Sequence, residues 1–262
     1  VAVKAHAHGL SGTLLWLGGC LAVETTGHRL PGMTVIGGAA VATGMALAPD
    51  LDVQGTAARA LGWPTRIVAY AISLLTEHRG MTHWAVTGVV LAAVVSATAT
   101  ARWSIGGFMA PWAAVGVLTL GYAWCQAAAV ADDRPRRRIG AVARWLLSLV
   151  ATGVTLRVDA VLLWLGPAVL AGWWAHLLGD FATTDRWPVL APFTFREFGG
   201  LRLVRPTPKG RRVTRTERVI ESLLFAACCA VVITLVGGWP PIVHAAGRVV
   251  ATRSGTAEPS AR

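Results

Sequence analysis

Seven apolar runs, separated by short polar interruptions, organise the chain. They cover roughly residues 10–26, 32–48, 84–101, 108–131, 141–156, 159–181 and 219–237. A helix crossing a bilayer needs about 17–25 mostly apolar residues, so each run is a candidate span. The first, second and fifth are short or interrupted, by Gly18-Gly19 and Glu24, by Gly37-Gly38 and Gly44, and by Gly153. They fit re-entrant or protein-covered segments as well as lipid-facing ones. The pattern predicts an all-α fold, a polytopic membrane bundle of five to seven transmembrane helices. Abundant Gly and Ala predict close helix packing, because small residues let helix backbones approach in lipid. Residues 1–244 read as one membrane-embedded domain without internal repeats. Residues 245–262 are small, polar and basic and predict a disordered tail.

Composition strengthens this picture. Of 262 residues, 54% are hydrophobic and only 14% charged, and the mean hydropathy is +0.55. Soluble domains carry about 25% charged residues, which argues against a soluble enzyme. The first run lacks a small-residue cleavage site and is followed by further spans, so it is expected to stay as a helix. Trp84, Trp103, Trp187 and Trp239 flank the runs, as an interfacial belt would. Cys20, Cys125, Cys228 and Cys229 all lie in apolar stretches without CxxC spacing and predict neither disulfides nor a thiolate zinc site.

The net charge of +11 is concentrated. Five arginines fall between Arg134 and Arg144, and nine basic residues between Arg186 and Arg218. The positive-inside rule assigns both clusters to the cytoplasm. Nucleic acid is not an expected partner, since aromatic interleaving is thin and no binding motif occurs. With both clusters inside, runs 141–156 and 159–181 form a hairpin turning outside at Arg157-Val158-Asp159. Working backward, residues 78–83 and 176–180 then fall on the cytoplasmic side. If the first two runs pair as a hairpin, His8 and residues 49–52 join them.

Those positions hold the polar islands AHAHG (5–9), PDLD (49–52), HRGMTH (78–83) and HLLGD (176–180). Ionisable groups at membrane depth are costly unless paired or metal-bound. His176 and Asp180 stand four apart on one helix face, as metal-binding pairs do and as a structural His–Asp hydrogen bond also would. His78 and His83 would diverge by about 140° on a straight helix, so Gly80 is expected to mark a turn. Arg79 suits an anionic oxygen, and Thr82 can bond a ligand or cap the next helix. Asp50 and Asp52 would point the same way in an extended segment, able to bind metal or act as general base. His6 or His8 could complete the set. An intramembrane proton or cation relay of a transporter is the rival reading.

Together the four islands, with HLLGDFATTDRWPVLAPF at the last, resemble the bacterial inner-membrane metal-dependent hydrolases, the LexA-binding hydrolase family. That family shows an N-terminal His, then PDxDH, HRGxTHS and HxxxDxxTxxGxPLLWP, in the order found here. The resemblance implies His8, Asp50, Asp52, His78, His83, His176 and Asp180 as metal ligands, alongside Arg79, Thr82 and Thr183. Val53, Trp84 and Arg186 depart from the motifs, and Val53 removes one ligand. The sequence thus predicts a membrane-bound hydrolase of an ester or phosphoester at the cytoplasmic face. A divalent metal is expected, Zn2+ first and Mn2+ or Fe2+ after it, with Asp52, Arg79 and Thr82 in catalysis. Expected partners are membrane lipids and an acidic protein at loop 196–218. The alternatives are a LexA-like regulatory interaction protein and a cation or proton transporter.

Overall fold

The computed structural model describes residues 5–53, 55–60, 62–77, 79–105, 108–130, 140–158, 162–182, 186–200 and 215–237. Every apolar run becomes a helix, and the all-α expectation holds. The helices are α1 (Ala5–Thr25), α2 (Gly32–Met45), α3 (Thr56–Ala60), α4 (Trp63–Leu75), α5 (Ala85–Thr98), α6 (Trp112–Val130), α7 (Ala141–Val158), α8 (Leu165–Phe181) and α9 (Arg215–Gly237). Two small antiparallel ladders accompany them, β1 (Trp103–Ile105) with β2 (Phe108–Ala110) and β3 (Arg186–Trp187) with β4 (Phe198–Gly199). Helices α3 and α4 are additions that the apolar runs did not predict. Trp63, Ile67, Leu74 and Leu75 on α4 are exposed, and thirteen residues are too few to cross a bilayer.

Among the described residues, three stretches are long and apolar enough to span a membrane, Gly32–Val53, Ala141–Val158 and Arg218–Leu235. The first two fall on runs the sequence marked as short or interrupted. The hairpin turn at Asp159, the arginine run 134–138, Trp239, residues 201–214 of the basic loop and the tail 245–262 lie outside the described residues. The four cysteines are free thiols.

Helix α2 is the centre of the bundle, packed against α1, α6 and α8, while α9 lies on α1, α5 on α8 and α7 on α6. Its Val41 and Ala42 are wholly buried. Glycine is what lets the backbones meet. A Cβ on Gly12 of α1 would stand 2.5 Å from the Ala42 carbonyl oxygen, and one on Gly172 of α8 would collide with the same atom. Gly44 of α2 abuts the backbone of Gly121 on α6, and Gly38 receives the Trp16 indole.

Polar contacts reinforce these seams. Thr13 and Thr43 join α1 to α2 at 2.5 Å. Between α6 and α7, Thr119 meets Thr152 at 3.1 Å, Tyr122 meets Thr155 at 2.6 Å, and Gln126 donates to Ser148 at 2.9 Å. In lipid such interhelical hydrogen bonds each contribute about 0.6–2 kcal/mol.

A candidate metal centre at one end of the bundle

Helix direction brings the polar islands together. α1 and α5 begin where α2 and α8 end, so His8, the turn after α2, the turn before α5 and the last turns of α8 share one end of the bundle. The register is set one turn deeper. Gly12 and Gly172 press α1 and α8 against Ala42, and the residues one turn away toward the bundle end are His8, His176 and Ala46. The convergence expected from loop charge therefore has a packing cause. His8, His83 and His176 are 0–1% exposed and Asp180 is 2% exposed.

Hydrogen bonding fixes the imidazoles. His176 Nδ1 lies 2.8 Å from the Ala46 carbonyl oxygen. A carbonyl only accepts, so the proton of neutral His176 sits on Nδ1 and Nε2 carries a lone pair. Thr82 spends its one hydroxyl proton on Asp52 Oδ2 at 2.9 Å. Its oxygen can then accept from His83 Nδ1 at 3.0 Å, which would turn the Nε2 lone pair of His83 toward His176. The two Nε2 atoms face each other at 3.3 Å. Asp180 Oδ2 lies 3.7 Å from each. Asp50 Oδ1 lies 3.8 Å from His83 Nε2 and 3.7 Å from His176 Nε2.

His83 Nε2, His176 Nε2 and Asp180 Oδ2 lie within 3.7 Å of one another, with the Arg79 guanidinium 3.4 Å from the same carboxylate oxygen. Ligand bonds of about 2.0–2.2 Å in a tetrahedron give ligand–ligand edges of roughly 3.3–3.6 Å, close to the separations here. The donor chemistry therefore fits a divalent ion. Two ligand-spaced sets arise among the described residues, His83 with His176 and Asp180, and His8 with Asp50 and His176.

His8 stacks on His176, the ring centroids 4.1 Å apart, and its Nε2 lies 3.6 Å from Asp180 Oδ1. Neither of its nitrogens has a hydrogen-bond partner among the described residues. His8 precedes all three candidate spans. Burial first, then His176, His83 and Arg79, push its pKa well below the ordinary 6.5, which keeps the ring in its neutral, metal-binding form. A Cβ on Gly179 would stand 2.9 Å from His8 Nδ1, so the glycine of HLLGD makes room for this ring.

The aspartates divide. PDLD is not extended but a 3-10 turn, Pro49–Val53. At about three residues per turn, positions two apart differ by roughly 240° and cannot share a direction. Asp50 accordingly reaches the Nε2 edge of His83, while Asp52 Oδ2 lies 3.7 Å from His83 Nδ1 on the opposite edge. Asp52 also accepts the Arg79 backbone N–H at 3.2 Å. The parallel pair expected of Asp50 and Asp52 is thus replaced by one carboxylate on each side of the ring.

HRGMTH does turn, but Arg79 rather than Gly80 takes the left-handed conformation, with φ 65. That costs about 1–2 kcal/mol in a residue with a Cβ. The bond to Asp52 and the guanidinium contacts offset it, NH2 at 3.4 Å from Asp180 and Cζ at 5.5 Å from the Trp187 ring centre. His78 and Thr183 lie outside the described residues.

Trp187 was expected in the interfacial belt; it is instead 1% exposed. It donates from Nε1 to the His83 carbonyl at 3.1 Å, and the neighbouring Val189 carbonyl accepts the Ala85 N–H at 2.8 Å. Segment 186–200 therefore straps the site. The only signal for this in the sequence is that Trp187 falls inside the last motif. Nothing in the pattern marked the Ala46 carbonyl or Gly179.

Fold and site define a helical membrane protein with a polar cluster buried at one end of its bundle. The model of the YdjM inner membrane protein family matches residues 3–135, about half of the chain. The chain belongs to that family, and with three apolar spans its location is the bacterial inner membrane. The matched stretch carries His8, Asp50, Asp52, Arg79, Thr82 and His83 and ends before His176 and Asp180. No curated protein and no solved structure matches the chain.

Proposed function

We propose that this protein is a membrane-bound, metal-dependent hydrolase acting on an ester or phosphoester of a lipid or envelope molecule. The observation that carries the reading is the pair of buried imidazole Nε2 atoms, 3.3 Å apart and flanked by two carboxylates. His83, His176 and Asp180 would hold the ion, the three-ligand pattern of catalytic zinc sites. A bound divalent ion supplies Lewis acidity, polarising the scissile bond and lowering the pKa of a water toward about 7.

The chain's own groups do the rest. Thr82 and Asp52 lock the ring of His83, as carboxylates behind ligating histidines do. His8 packs under His176 and orients Asp180. Asp50 is the most exposed of the three carboxylates, 21% against 0% for Asp52 and 2% for Asp180, so it is the one a water can reach. It takes the proton of the attacking water and returns it to the departing alcohol oxygen as the new bond to carbon or phosphorus forms. Arg79 holds the developing anionic oxygen.

Elemental analysis of the detergent-purified chain tests this. We expect near-stoichiometric zinc, manganese or iron. Asp50→Asn should keep the metal and lower hydrolysis of a model phosphodiester or ester about 10²–10⁴-fold. A folded chain without metal sinks the proposal. Metal-dependent cation flux in proteoliposomes without hydrolysis would reassign the site to transport.

A further inference from the structure

An apolar groove of about 500 Å³ runs between α1, α8 and α9. Its inner end is formed by Ser11 and Gly179, and its far end by Gly18 and Gly19, with Leu224 of α9 along one wall. The glycines of the bundle divide into two kinds. At Gly12, Gly38, Gly44 and Gly172 a neighbour forbids a side chain; at Gly18 and Gly19 nothing lies within 4 Å of where a Cβ would be. Helix packing therefore does not account for the two glycines that hold the groove open.

The surroundings decide what fills it. α9 contains a candidate span, and its Leu223, Phe225 and Ile233 are exposed. Leu15 and Leu178, on the two other walls, are also exposed. In an inner-membrane protein these surfaces face hydrocarbon, where an apolar groove takes acyl chain rather than water. From Ser11 to Gly19 the helix rises about 12 Å, roughly one leaflet of a hydrocarbon core about 30 Å thick. The inner end lies one residue from the polar cluster, since Gly179 lines the groove, precedes Asp180 and would place a Cβ 2.9 Å from His8 Nδ1.

We propose that this groove holds one acyl chain of a bilayer phospholipid and presents the ester or phosphoester at its head to the His/Asp cluster. The proposal rests on the hydrolase reading for what happens at that end, and the groove is tested separately. The full chain is reconstituted in vesicles of phosphatidylethanolamine and phosphatidylglycerol with a trace of phosphatidylglycerol carrying a diazirine in one acyl chain. After illumination, adducts should concentrate in residues 11–19 and 175–179. Gly18→Leu with Gly19→Leu should reduce them at least fivefold while metal content is unchanged. The open space, and the better helix propensity of leucine, favour folding; Gly19→Leu alone serves if the double variant fails. Adducts spread evenly over α7 and α9, or unaffected by the leucines, overturn the groove whatever the metal result. Absence of metal from the wild-type chain overturns presentation to the cluster, even with groove adducts intact.

Discussion

Helices α8 and α9 are both apolar and both end the same half of the chain, yet their surroundings are opposite. α8 buries ten residues, among them Leu165, Val169, Trp173, His176 and Asp180. α9 leaves Val219, Leu223, Phe225 and Ile233 exposed. The difference lies in two glycines. Gly172 and Gly179 of α8 let the α2 backbone and the His8 ring of α1 approach closely. Apolar character alone does not say whether a neighbour is protein or lipid. Glycines that admit a neighbour's atoms do.

That contrast can be broken at four points. The largest effect belongs to Gly172→Leu, whose side chain would drive α8 off the Ala42 carbonyl. We expect a loss of more than about 3 kcal/mol, seen as loss of a monodisperse peak and a lowered Tm in detergent. A melting point near the wild type would refute the packing account of the site. Next is His176→Ala, which removes a proposed ligand and the contact with the Ala46 carbonyl. Metal content should drop below about a tenth of the wild-type value, and retention of full metal would exclude His176 as a ligand.

Thr82→Val is milder. It keeps the proposed ligands but frees the His83 ring from Asp52, so metal affinity should weaken about 10–100-fold, measured by competition with a chelator. An unchanged affinity would leave Thr82 with only a structural role. The smallest effect should be Leu223→Ala on α9. Its side chain is 64% exposed and the change should stay within about 0.5 kcal/mol; a large shift in Tm would mean that α9 is covered by protein rather than lipid.

Much of the fold was legible because lipid and close packing both write themselves into composition. Seven apolar runs became seven helices, and the i, i+4 spacing of His176 and Asp180 did put both on one face. The aspartates were read less well. Asp50 and Asp52 would share a direction only in an extended segment, and the Pro-initiated turn that leaves α2 is a 3-10 turn that separates them. Trp187 was read as interfacial because tryptophan beside an apolar run usually is; its partner, the His83 carbonyl, is 104 residues away.

The sequence by itself determined the helices, the membrane setting and the residues rich enough in chemistry to form a site. Those follow from local quantities, apolar run length, helical spacing and side-chain type. Only the tertiary structure decided which atoms meet. Which nitrogen of His83 or His176 carries a proton depends on Thr82, Asp52 and the Ala46 carbonyl, brought in from other segments by glycines that let α1, α2 and α8 touch. Two imidazole nitrogens 3.3 Å apart are a property of that packing. No single segment contains them.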